Sequence, residues 1–403
     1  MVDPSRIQIT GPLKSYVEHV WSELLAQGYT ALSSRLLLNL MAHLSRWLEG
    51  IGLQARELTN KGIEDFLEKR REAGYTKHLS RRALEPILEH LQTAGLVFEL
   101  EPAKATANER DRLLEEYRQY LIQERAVVPV TVRHYESIAR NFLSDVFGEN
   151  RLELDRLCAA DVVSFVVRQS HISSVSWAKY TVTALRSVLR FLFLRGELAN
   201  DLVGAVPGVA AWRQASLPKA LPLRQVQQLL RNCDRRTHLG RRDFAVLTLL
   251  VRFGLRAGEV ADLELDDIHW TRGEIVIRGK GLREDRLPLA CDVAEAIVAY
   301  LRRSRPQTSC RRFFLSSIAP LRGITGCAVG RIVHRACIRA GLAPIGSHRL
   351  RHSAATQMLR KGASLSEIAQ VLRHRKVDTT AIYAKVDRRG LRELARPWPG
   401  DVA

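Results

Sequence analysis

Apolar residues recur at intervals of three and four through the first half of the chain. Within residues 13–100, Leu36, Leu40, His43, Leu44, Trp47 and Leu48 make one such stripe, the spacing that gathers side chains on one face of an α-helix. Strand-like alternation is scarce there. A polar stretch with a proline, residues 101–109, interrupts the pattern and predicts a boundary. Helical periodicity returns over residues 110–196. Leu113, Leu114, Tyr117 and Leu121 form one stripe, and Thr131 to Phe147 forms another, closed by Gly148. A third helix is expected to start at Asp161 as its cap, and a fourth runs from Tyr180 to Leu194, closed by Gly196. Four helices of this size predict a small bundle.

The two helical blocks resemble each other. At an offset of 101 residues Tyr16 matches Tyr117, Thr30 matches Thr131, Leu88 matches Leu189, and Gly95 matches Gly196. This reads as a duplicated bundle or as two unrelated bundles with a common pattern. A second linker, residues 206–218, carries Pro and Gly, and the character then changes. Helices now alternate with two short strand-like runs, Glu274 to Ile277 and Arg286 to Leu289, joined by a glycine-bearing turn that predicts a β-hairpin. The expected fold class is therefore mainly α with a small β-sheet (α+β), in three segments: 1–104, 105–212 and 213–403.

No apolar run approaches the roughly 18 residues of a membrane helix; the longest, Val246 to Val251, stops at Arg252. The opening residues lack the apolar stretch of a signal peptide, so a cytoplasmic location is expected. Lys and Arg number 62 against 43 Asp and Glu, a net charge of +19. That balance favours phosphate backbones or anionic membranes, and the lack of a long basic amphipathic segment argues against membranes. The six cysteines form no CxxC pair or zinc spacing and are read as reduced, mostly buried thiols.

Five motifs in the last 150 or so residues carry candidate chemistry. GLRAGEV (254–260) places Arg256 near a helix end, where a guanidinium can grip a phosphate, with Glu259 three residues on to hold it. RGKG puts Lys280 at the hairpin tip; it lacks the GxxxxGK spacing of a nucleotide-binding loop. In HRLRH (348–352), His348, Arg351 and His352 share one helical face behind Ser347, read as the cap. Two interleaved arginines suit that face to a phosphate rather than to zinc. His374 and Tyr383 lie on either side of Asp378-Thr-Thr, a start for a helix that would carry Tyr383. Singly, each motif is more often a surface ion pair, a solvated lysine or a core tyrosine. Together, two Arg, one Lys, two His and a Tyr are the groups that cleave a phosphodiester without a metal.

In this order and spacing the chain resembles the tyrosine recombinase or phage integrase family over about residues 108–395. The resemblance implies a helical core-binding domain within 105–212, which closes a clamp on DNA together with a catalytic domain at 213–403, and it implies no cofactor. It further implies site-specific DNA cleavage and rejoining, for integration, excision or transposition of a mobile element, by a tetramer on double-stranded DNA, with companion recombinases as possible partners. Tyr383 would form a 3′-phosphotyrosyl bond, Arg256 and Arg351 would stabilise the transition state, and Lys280 would protonate the leaving 5′-oxygen. His348 would help remove the tyrosine proton, His374 would donate to the phosphate, and Glu259 and His352 would act from behind. Nearby cations are expected to lower the tyrosine pKa from its ordinary value near 10. The family usually has Gly where this chain has Arg373, which predicts an altered turn or an added phosphate contact. Rival readings are a type IB topoisomerase and a non-catalytic regulator, the latter because Ser364 to Leu372 followed by Asp378 to Val386 resembles a helix-turn-helix. The N-terminal block is open to three roles: a second DNA-gripping bundle, an arm-site module or a protein-interaction domain.

Overall fold

A computed structural model describes residues 8–95, 108–148, 151–210, 217–279, 284–374, 378–387 and 391. The chain opens with α1 (Val17–Ala26), α2 (Ala31–Gly50), α3 (Asn60–Glu72) and α4 (Arg81–Thr93). Thr30 and Thr59 start α2 and α3 by accepting the N–H of Ser33 and Gly62, each at 3.1 Å. The inward face of α2 is Leu37, Met41, Leu44 and Leu48. Leu36, placed on the expected stripe, is 50% exposed, because the buried arc is centred one residue further along the helix.

The second block holds α5 (Glu109–Gln123), α6 (Pro129–Phe147), α7 (Ala159–Ile172) and α8 (Val175–Leu194). Its core gathers Tyr117, Phe142, Phe165 and Leu189. Proline begins α6, where its missing N–H is no loss. Two starts differ from expectation. Cys158 caps α7, and Asp161 sits a turn inside, accepting the Cys158 N–H at 3.0 Å. Ser174 caps α8, so that helix begins five residues before Tyr180. From α1 and from α5 onward the succession of elements is the same in both blocks, a 3₁₀ turn at Lys14–Tyr16 preceding α1. Each has two helices, a 3₁₀ turn (Ala55–Glu57 or Leu154–Arg156), two more helices, and then a glycine of positive φ.

The last block contains α9 (Leu223–Arg231), α10 (His238–Arg252), α11 (Ala257–Asp262), β1 (Ile268–His269), β2 (Glu274–Arg278) and β3 (Glu284–Pro288). It continues with α12 (Cys291–Arg303), α13 (Gly326–Arg339), α14 (Ser347–Arg360), α15 (Leu365–Val371) and α16 (Asp378–Ala381). Helix α10 is buried along Ala245–Leu250 and packs against α12 and α14. The strands form one antiparallel sheet in the order β1-β2-β3, with Ile268 opposite Ile275 and Val276 opposite Arg286. β2 buries Ile275, Val276 and Ile277 in a row, whereas β3 alternates, with Glu284 and Arg286 exposed and Asp285 and Leu287 half-buried. The two-residue β1 is too short to show a period in the sequence.

Contacts divide the chain into two compact units, Met1–Glu99 with Ser216–Ala403, and Leu100–Ala215. Within the first, the Leu321 N–H donates to Gln27 O at 2.8 Å and Arg322 pairs with Glu89. Gly28 has φ +85°, and a Cβ there would lie 2.3 Å from Leu321 Cδ1, so only glycine fits this approach.

Among the described residues no helix is long and apolar enough to cross a membrane. All six cysteines are free, but only Cys233 and Cys337 are buried, which corrects the expectation of mostly buried thiols. Cys158, Cys291 and Cys327 are exposed because each stands at the start of a helix, where the chain meets solvent. The helix-turn-helix likeness also fails. The second element is the four-residue α16 followed by a 3₁₀ turn, too short to lie along a groove.

Candidate active site

The turn between α10 and α11 begins the site. Gly254 has φ +58°, and a Cβ on it would come within 2.5 Å of Leu372 Cδ2. The position therefore needs glycine both for its backbone and for its neighbour. Arg256 follows in extended conformation at the cap of α11, with 45% of its side chain exposed. Glu259, one turn into α11, folds back on it: the Arg256 backbone N–H donates to this carboxylate at 2.8 Å and Arg256 Nη1 donates at 2.5 Å. Arg373 Nη2 donates to the same carboxylate at 2.9 Å. Burial pushes the Glu259 pKa up, but Arg373 and Arg256 outweigh it and hold the carboxyl below its ordinary range.

Helix α14 supplies the second layer. Gly346, one residue before Ser347, is its cap. Arg351 is 1% exposed. Its Nη1 donates to Gly254 O at 2.6 Å and its Nη2 donates to Leu372 O, which ties the turn before α11 to the turn after α15. Burial, with Arg256 next in effect, lowers its pKa to about 10; the group stays charged at neutral pH. On the same helix, one turn apart, the rings of His348 and His352 meet edge to face at 4.8 Å.

Tyr383 comes from the segment after α15. It stands in the turn between α16 and the 3₁₀ turn Ala384–Val386, not on a helix, because α16 ends at Ala381. It is 2% exposed and packs with Ala355, Ile368 and Leu372. Its Oη lies 2.9 Å from His352 Nδ1. The His374 ring runs parallel to the tyrosine, with centroids 6.5 Å apart, and its Nδ1 is 2.7 Å from Thr380 Oγ1.

Burial governs ionisation here. It lowers the pKa of His352 to about 4, with His348 and Arg351 adding to it, and that of His374 to about 4, with Arg351 and Arg256 adding. His348 is lowered too, by burial first and then by Arg351 and Arg256. Burial raises the Tyr383 pKa by more than Arg351 lowers it. This overturns the expectation of an acidic tyrosine: the cations are near, but desolvation of the phenolate outweighs them.

A cleft of about 800 Å³ opens beside this cluster, between α11, the β2–β3 hairpin and α15, lined by Arg256, Glu259, Arg278, Gly279, Arg373 and His374. The β2–β3 hairpin reaches its rim through Gly279. Lys280 lies outside the described residues.

Comparison with known proteins bears on what such a cleft does. A family model described as the phage integrase family matches residues 219–389. A protein named putative integrase/recombinase y4rA, from Sinorhizobium fredii, is 40% identical over 97% of this chain and 96% of its own length. The chain belongs to the phage integrase family, the tyrosine recombinases. The tyrosine recombinase XerD of Listeria monocytogenes is 33% identical over 71% of this recombinase and 98% of its own chain. A solved XerH recombinase, crystallised with its difH substrate as a post-cleavage complex, shares the fold at 19% identity with a TM-score of 0.55, over 82% of this chain and 93% of that one.

Seven of the eight residues singled out in the sequence meet in this recombinase: Arg256, Glu259, His348, Arg351, His352, His374 and Tyr383. Their order of contact was not legible. His352, expected to act from behind, is on the tyrosine hydroxyl, and His348 reaches it only through the His352 ring. Thr380, which holds His374, and the carbonyls of Gly254 and Leu372, which hold Arg351, carry no motif. Arg373, expected to alter the turn or to add a phosphate contact, turns its side chain to Glu259, which no local pattern announces.

Proposed function

We propose that this tyrosine-type site-specific recombinase cleaves duplex DNA with Tyr383 as the nucleophile and Arg256 as the exposed phosphate clamp. The observation that carries the reading is the Tyr383 hydroxyl held on a neutral histidine, His352, at 2.9 Å beside Arg351.

In this reading the tyrosine O–H donates to His352 Nδ1, and a phosphate entering the cleft brings the electrophile. Tyr383 Oη attacks phosphorus, the bond to the 5′-oxygen breaks, and a 3′-phosphotyrosyl bond forms. The tyrosine proton passes to His352, with His348 alongside to take part in its removal and to reach the phosphate. Lys280, one residue beyond Gly279 on the cleft rim, delivers a proton to the leaving 5′-oxygen. Arg256 meets the non-bridging oxygens directly, and Arg351 adds its charge from beneath. Thr380 donating to Nδ1 leaves His374 Nε2–H as a donor to the phosphate. Attack by the 5′-hydroxyl of another strand reverses each step, and the bond energy stays in the phosphotyrosyl link, so rejoining needs no nucleotide.

The substrate in this reading is double-stranded DNA of a mobile element, and the working unit is a tetramer on that DNA at the nucleoid, alone or with a companion recombinase. Structural neighbours fit this: λ integrase has been crystallised as a tetramer on a Holliday junction and as a dimer on a core site. The test is a nicked duplex from the ends of the protein's own element. Wild type is expected to give a covalent protein–DNA band and Tyr383→Phe none, with DNA binding kept. A band from Tyr383→Phe overturns the assignment.

A further inference from the structure

Arg373 occupies the cleft wall in a conformation that arginine seldom takes. Its φ is +55°, in the left-handed region that favours glycine. Its side chain is only 5% exposed. Nη1 donates to Val371 O at 2.8 Å and Nη2 to Glu259 at 2.9 Å, while Nε is buried with no partner. A disfavoured backbone, a buried charge and an unpaired donor are thus tolerated together, and what they secure is one ion pair.

The value of that pair follows from what else Glu259 holds. Its side chain is 6% exposed, and it accepts from both Arg373 and Arg256. A buried carboxylate must be compensated, and leaving it unpaired is costly. With Arg373 absent, Arg256 would be the one guanidinium on Glu259, and the carboxylate would compete with an incoming phosphate for it. Arg278, on the same cleft, is no substitute, since Asp267 at 2.7 Å and Glu284 at 3.4 Å engage it. With Arg373 compensating the carboxylate from its other side, the exposed Arg256 can turn to a phosphate without stranding Glu259.

We infer that Arg373 is a positioning residue: it carries the counter-charge of Glu259 so that Arg256 is free to take the scissile phosphate. This rests on the reading of Arg256 as a phosphate clamp.

The test uses the full-length protein on the nicked duplex, with single-turnover cleavage at saturating protein, DNA dissociation constant and melting temperature read for each variant. Arg373→Gln and Arg373→Gly are expected to bind DNA within about twofold of wild type but to cleave at least roughly tenfold more slowly, the size of a coupling within one ion-pair network. Arg373→Lys should recover most of the rate. Adding Glu259→Gln to Arg373→Gln should raise the rate above that of Arg373→Gln alone, because neutralising the carboxylate releases Arg256; a merely structural role does not give that rescue. Wild-type cleavage by Arg373→Gly overturns the inference. So does a double variant slower than Arg373→Gln, or a parallel loss of binding, rate and melting temperature that lysine does not repair. Absence of an adduct from wild type itself would overturn the phosphotyrosine reading, and this inference with it, and is told apart because every other outcome is scored against a reactive wild type.

Discussion

One wall of the active site crowds together four charges: Arg256, Arg351, Arg373 and Glu259. The adjoining wall sets Tyr383 among His348, His352 and His374, and none of these four is charged at neutral pH. Both walls lose solvent on folding, and they answer that loss differently. Where an opposite charge is within reach, burial is met by pairing, as Glu259 does with two guanidinium groups. Where only neutral partners and cations surround a titratable ring, the ring gives up its proton, as His352 and His374 do. The division suits the chemistry: the paired wall offers cations to a phosphate, and the neutral wall offers a proton acceptor to a hydroxyl.

Removing the hydroxyl strikes the neutral wall hardest. Tyr383→Phe should eliminate the covalent adduct while leaving the melting temperature close to wild type; the hydroxyl has a single neutral partner, His352. Next come the arginines of the charged wall. Arg256→Ala and Arg351→Ala should each slow cleavage by about 100- to 1000-fold, the range for a lost transition-state donor. They should part in stability. Arg351 is buried on two carbonyls, so its loss should cost roughly 2–4 kcal/mol in denaturant unfolding, whereas the half-exposed Arg256 should cost little. Equal melting temperatures for the two would break the claim that one arginine is structural as well as chemical.

Gly254→Ala addresses the joint between the walls. It forces alanine into positive φ and drives a methyl group into Leu372, for an expected loss of about 2–3 kcal/mol on unfolding. Tolerance of alanine would show that the turn can move and that Arg351 does not pin it.

The smallest effect is in pH. His352 and His374 have folded pKa values below their unfolded value near 6.5, at about 4. The unfolded chain therefore binds more protons between these values, and stability should be intact above about pH 6.5 and fall as pH drops towards 4. Glu259 is shifted down as well, so its contribution is present above its unfolded pKa and is lost only as pH falls through its lower folded value. The neutral wall should fail at higher pH than the charged wall. Thermal melts at pH 7.5, 5 and 3.5 check this, since replacing both histidines by glutamine should flatten the upper part of the curve and leave the lower part.

Much of the fold was legible because it is local. The stripe of Leu113, Leu114, Tyr117 and Leu121 is buried as spaced, and Gly148 and Gly196 end helices with positive φ as their type suggests. Starts were less legible, because the Cys158 cap works through the returning Asp161 carboxylate and cysteine is a rare cap. A two-residue strand such as β1 leaves no period to read.

The sequence by itself determined the long helices, the hairpin and which chemistry is available: helices follow from spacing along the chain, and Arg256, Glu259, HRLRH, His374 and Tyr383 are set by residue type and order. The tertiary structure alone decided which of them touch and in what protonation state. Arg373 meets Glu259 across 114 residues and Arg351 meets Gly254 across 97, and a pKa depends on the solvent that such contacts exclude. That exclusion arises only when distant segments pack together, which is why an exposed tyrosine beside cations would be acidic and this buried one is not.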